Sequence, residues 1–166
     1  WNTLAQTQAG KSVLGTSSKI SGANLYSRLN YWIVACGGQA IANPPALQGV
    51  EAPTEAVITL TPTKFTFELE GEPEGVENLK LIVQASAPQS NGVTRAYSKA
   101  VQIGGPLEAV TEEYDLKKDY DEKHGAPNAA SPKVFIKYFF VNTVTGEKSG
   151  EMLVLATLQE EQPDGE

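Results

Sequence analysis

A chain of 166 residues is long enough to bury roughly 70% of its extended-chain surface in one core, and its single cysteine, Cys36, excludes an internal disulfide framework. Net charge is -7 with a pI near 4.8, the reverse of the basic stripe that binds a phosphate backbone, and no stretch approaches the roughly 20 apolar residues of a membrane span. The charge is unevenly spread: residues 1–50 hold Lys11, Lys19 and Arg28 and no acid, so +3 there leaves -10 for the rest. A basic end of this kind suits an acidic neighbour.

The chain opens on Trp-Asn-Thr-Leu, with neither a starting methionine nor the basic and apolar regions of a signal peptide, so Trp1 is expected to continue a longer or processed product. From Ser21, Leu25, Leu29, Trp32, Ile33 and Cys36 recur at spacings of three and four, which predicts a helix capped by Ser21 and stopped by Gly37-Gly38. Asn43-Pro44-Pro45 then bars both helix and central strand, so residues 37–56 read as an extended connector.

Beyond Pro53 the period becomes two. Ala56–Leu60 and Lys64–Glu70 are predicted strands around a Thr61-Pro62-Thr63 turn, the second placing Phe65, Phe67 and Leu69 on one face. A charged loop, Gly71–Glu77, leads to a third strand, Asn78–Ser86, with Leu79, Leu81, Val83 and Ala85 aligned. Arg95–Ile103 is expected as a fourth strand, ended by Gly104-Gly105-Pro106. Asp115 is placed to cap a short surface helix, Leu116–His124, closed by Gly125. Lys133–Asn142 and Glu151–Leu158 carry the strongest strand signals and should form a central hairpin. Residues 159–166, rich in acid with Pro163 and Gly165, have too little apolar area to order themselves.

The expected fold is therefore mainly β: a sandwich of the immunoglobulin or fibronectin type III kind, with an N-terminal helical segment and one short inserted helix. Residues 1–56 would form a helical docking segment with its connector, 57–158 the sandwich, and 159–166 a disordered acidic tail.

No motif for chemistry outweighs its plainer explanation. Ala5-Gln-Thr-Gln-Ala-Gly-Lys-Ser12 resembles a relaxed phosphate loop but lacks the preceding buried strand. His124, the only histidine, excludes a multi-histidine metal site and suits a helix C-terminus; Cys36 reads as a small core residue. Asp115, Asp119, Asp121 and Glu122 lack calcium-loop spacing and are interleaved with lysines, as in a solvated helix with local ion pairs. Tyr114, Tyr120 and Tyr138 could stack on a sugar only if they share a face. No enzyme, cofactor or small-molecule substrate is expected.

Several segments in order resemble a group of uncharacterised proteins of tailed bacteriophages and prophages. They are Ile20-Ser-Gly-Ala-Asn-Leu-Tyr-Ser-Arg-Leu-Asn30 followed by Pro44-Pro45, then Ala85-Ser-Ala-Pro-Gln-Ser-Asn-Gly92, Tyr120-Asp-Glu-Lys-His-Gly125 before Lys133-Val-Phe-Ile, and Val141-Asn-Thr-Val-Thr-Gly146. Gln89 and Ile20 depart from the group's proline and leucine, and the glycine-rich part usual upstream is not present in this chain. The resemblance implies a helix over Trp1–Ala9, a structural role in a phage virion as capsid decoration or tail-associated protein, and no catalytic residue. Partners would be other virion proteins or copies of the chain, with no nucleic acid and no membrane span. The candidate docking residues are Lys11, Lys19, Tyr26, Arg28 and Trp32. The alternative is a host-surface or glycan-binding module, bacterial-surface or extracellular, in which Tyr114 and Tyr120 are the recognition-loop aromatics.

Overall fold

A computed structural model describes residues 1–11 and 17–160. Its helices are α1 (Asn2–Ala5), α2 (Gly22–Ala35) and α3 (Lys117–His124). The strands are β1 (Ala9–Lys11), β2 (Ser17–Lys19), β3 (Ala56–Leu60), β4 (Phe65–Leu69), β5 (Leu79–Ala85), β6 (Val101–Gln102), β7 (Leu107–Glu108), β8 (Tyr114–Asp115), β9 (Lys133–Asn142) and β10 (Met152–Thr157). The fold is mainly β, built on two antiparallel sheets: β3-β4-β8, and β10-β9-β5-β6 with β7 also paired to β5.

Side chains alternating at period two fill the space between the sheets. Phe65, Phe67 and Leu69 of β4 meet Leu81 and Val83 of β5 and Ile136, Tyr138 and Phe140 of β9 in one buried cluster. Two edge-to-face ring pairs tie it together, Phe67 with Tyr138 at 5.0 Å and Phe65 with Tyr120 at 5.1 Å between centroids. Both phenols are satisfied: Tyr138 donates to the Thr54 carbonyl at 3.0 Å and Tyr120 to the Ser86 carbonyl at 2.9 Å. The β3–β4 turn is set by Thr61, whose hydroxyl accepts from the Lys64 amide at 2.9 Å, ahead of which Pro62 has no amide to satisfy.

The helix over residues 22–35 forms as its periodicity requires. Ser21 Oγ accepts from the Asn24 amide at 3.2 Å, and Gly37, with φ +84°, takes the left-handed turn that ends it. Its apolar stripe covers the outer face of the second sheet. Trp32 and Cys36 pack on Ile82, Phe139 and Val141, with the Trp32 ring edge-on to Phe139 at 5.3 Å. Strand β9 is thus buried on both faces.

Four expectations change. Arg95–Ile103 is not a continuous strand: Ala96, Ala100 and Ile103 are buried at spacings of four and three, so the chain winds through a 3-10 turn at Tyr97–Lys99 and pairs only over β6. The hairpin β9–β10 forms in register Met152↔Tyr138 to Thr157↔Lys133, but β10 lies at the sheet edge and only β9 is central. Asp115 belongs to β8 opposite Thr66, so α3 begins at Lys117, whose amide donates to Asp115 Oδ1 at 2.9 Å. The helix anticipated over Trp1–Ala9 stops at Ala5, and Ala9–Lys11 pairs with Ser17–Lys19 instead. Of the expected tail, residues 161–166 lie outside the described residues.

Phe139→Ala should cost about 3–5 kcal/mol, as a large ring removed between two layers leaves a cavity that neither can fill. Urea unfolding measures this, and faster hydrogen exchange in α2 than in β4 would show the helix layer loosening first. Burial pushes the Tyr138 hydroxyl up to about 12, and Tyr120 is raised still further by burial and by Asp121. The native state therefore holds these protons more tightly than the unfolded chain, and stability should fall as pH rises from 10 towards 12. Thermal melts across that range should show the decline, which Tyr138→Phe should reduce.

Candidate docking surface

The N-terminal part is joined to the sandwich rather than tethered to it. Ala5, Leu25 and Leu29 form a small core with Trp1, Leu4, Ile20 and Leu47 around it. The buried Asn30 side chain binds the connector at Ile41 twice, accepting from its amide at 2.6 Å and donating to its carbonyl at 3.2 Å. Trp1 Nε1 donates to the Ala42 carbonyl at 2.7 Å. Further along, Glu147 in the β9–β10 turn accepts from the amides of Gly49 at 2.9 Å and Gln48 at 3.3 Å and from the Thr145 hydroxyl at 2.9 Å. Gly146, with φ +73°, lies so close to α2 that a Cβ there would overlap the Leu29 carbonyl. The connector has no regular secondary structure, as the two prolines require, yet it is held at both ends.

Against this frame the candidate residues separate. Lys19 and Arg28 are exposed, and Tyr26 is 39% exposed with its ring edge-on to Trp1 at 5.1 Å. Lys11 ends β1, and its side chain lies outside the described residues. Trp32 is half-buried between α2 and Phe139, so it is a packing residue and not a free docking group. Arg28 and Trp32 line a cleft of about 280 Å3 with Gln8, Leu29, Leu47 and Glu147.

Tyr120 is fully buried in the core, which overturns its placement in a recognition loop. Tyr114 is half-buried, its hydroxyl donating to the Glu108 carbonyl at 3.0 Å, and burial followed by Glu112 and Glu108 pushes its titration up. With Tyr138 also inside, the three tyrosines share no exposed face. A helix in the first turn, α1, now precedes the phosphate-loop-like segment and a strand crosses it, the reverse of strand then helix; its Ser12 lies outside the described residues.

Groups that could do chemistry are engaged structurally. His124 stands at the end of α3 with Nε2 3.1 Å from the Ala85 carbonyl and its ring against Tyr120, and burial lowers its affinity for a proton. Cys36 packs against the sheet, where burial raises the thiol. Asp121 pairs with Lys117 and Glu122 with Lys118 along α3. Among the described residues no three metal-binding side chains come together, and no helix is long and apolar enough to cross a membrane.

Sequence reasoning overlooked Tyr31 and Val34, 63% and 54% exposed on the outward face of α2. The signal was present: over its 14 residues the helix carries one charged side chain, Arg28. A solvated helix face ordinarily bears several. No protein-family model matches the chain, and no curated protein matches it.

Glu147→Ala should lower stability by about 1 kcal/mol, since exposed amides can turn to water, whereas Glu147→Gln keeps an acceptor and should cost less. The sharper readout is limited proteolysis, in which only the alanine variant should be cut faster within residues 43–50.

Proposed function

We propose that the chain is a non-enzymatic structural component of a bacteriophage virion, a capsid decoration or tail-associated protein, that acts by docking on other virion proteins or on copies of itself. The observation that carries this reading is the outward face of α2, where Tyr31 and Val34 stand exposed beside Arg28 on a helix with no other charge. Aromatic and arginine side chains are the types that dominate protein interfaces. The resemblance of the Ile20–Asn30 segment and the later turns to phage and prophage proteins supports the virion as the setting. The engagement of His124 and Cys36 in packing supports a role without catalysis.

The strand order departs from the immunoglobulin constant type and leaves the fibronectin type III reading of the sandwich in place. In the immunoglobulin constant type a fourth strand joins the sheet of the first two, whereas here β6 and β7 pair with β5 in the other sheet. The alternative, a host-surface or glycan-binding module, has weaker support, because burial of Tyr120 removes half of its aromatic platform.

The test is a phage particle assembled with a tagged copy of the chain and purified by density gradient. Mass spectrometry and immunogold labelling should find it on the particle, and Tyr31→Asp with Val34→Asp should lower its occupancy about tenfold or more without changing its thermal melt. Particles that never contain the wild-type chain would refute the virion reading.

A further inference from the structure

We infer that the Arg28 face of α2 is an interface between two copies of this chain, occupied by the acidic β4–β5 loop, residues 70–77, of the second copy. The inference rests on the docking reading above and names its partner.

Two surfaces of the molecule lack their complements. Asn24, Arg28, Tyr31 and Ala35 recur at spacings of three and four on the exposed side of α2, an uncharged stripe with a single cation at its centre. Arg28 makes no ion pair with any described residue, and neither does Lys19. At the other surface, residues 68–77 hold five glutamates and no base. Glu70, Glu72, Glu74 and Glu77 are exposed, and none of them is ion-paired among the described residues.

The cleft beside Arg28 has room for a glutamate side chain, which would have to pair with Arg28 closely enough to outweigh repulsion from the Glu147 carboxylate in the same cleft. Its volume is about 280 Å3, and its walls include Leu29, Leu47 and the half-buried Trp32, which can take the methylene stem while the carboxylate meets the guanidinium. Of the other charged groups there, Glu147 already holds the connector amides, and Lys148 is paired with Glu151 and lies 3.9 Å above the Phe139 ring. Arg28 alone is left to receive an incoming anion.

Net charge selects the register. Two copies at -7 repel one another, and an approach that sets the positive end of one against the negative loop of the other offsets that repulsion within a Debye length of about 8–10 Å. Each copy carries both surfaces, so two reciprocal contacts close a dimer, and a single contact repeated would build a ring or chain.

Sedimentation velocity on the 166-residue chain over micromolar concentrations, at about 0.05 and 0.5 M salt, tests this. The wild type should self-associate, more weakly at high salt. Arg28→Glu should weaken association about 30-fold or more, as should Glu72→Lys with Glu74→Lys, whereas Lys64→Glu on the β3–β4 turn should not. Mixing the two reversed variants should restore a complex that neither forms alone. A chain that stays monomeric, or whose association ignores both reversals, or a mixture that fails to pair, overturns the inference. A monomer that still loads onto particles would overturn it while leaving the virion reading intact, since the acidic partner would then be another protein.

Discussion

Strand β9 is the member on which the other layers depend. Seven of its ten residues are buried: Val134, Ile136, Tyr138 and Phe140 point into the sandwich, while Phe135, Phe139 and Val141 point out under Tyr97 and α2. A strand apolar on both faces cannot end a two-layer structure, because its outer face would remain in water. That constraint draws α2 onto the sheet, and the helix in turn fixes the connector through Asn30 and the β9–β10 turn through Gly146. The N-terminal part is a third layer and not an appendage, although its own buried cluster is small.

The legible parts of the fold are those where one residue decides one thing. Ser21, Gly37, the double proline and Thr61-Pro62 mark ends and turns through backbone chemistry that no tertiary partner alters. The phenylalanines of β4 alternate cleanly because that strand has one buried face, and the leucines of β5 still show the period because only Ile82 is buried on its other side. Legibility fails where burial is shared among small residues. Ala96 and Ala100 look like weak strand positions, yet their size lets the backbone approach closely and wind through a 3-10 turn. The two-residue strands β7 and β8 are too short to show a period, and they exist because β5 and β4 offer them partners.

The candidate surface was half visible for a related reason. Charge can be read directly, so the basic first 50 residues and Arg28 stand out. Direction cannot: Trp32 and Tyr31 are neighbours of similar character on the same helix, one turned onto Phe139 and the other into solvent, their rings edge-to-face at 5.0 Å. Which of the two is free depends on where the sheet lies. The same holds for Tyr120, whose place on a polar eight-residue helix suggested exposure until Phe65 and the Ser86 carbonyl claimed its ring and hydroxyl.

A polar group can serve structure or a partner, and several in this molecule serve structure. Ser86 accepts the Phe135 amide and donates to the Ala87 carbonyl; Ser149 receives the Phe140 amide; Asn142 receives the amides of Val144 and Thr145. Each of these closes a strand end or turn that burial would otherwise leave with an unpaired backbone group. The histidine and the cysteine are likewise engaged, His124 against the Ala85 carbonyl and Cys36 against the outer face of the second sheet. Charge of opposite sign stands without an ion pair among the described residues at Arg28 on α2 and at the glutamates of the β4–β5 loop. On α2 that charge lies beside exposed aromatic and aliphatic area, the combination of side chains found where protein surfaces meet.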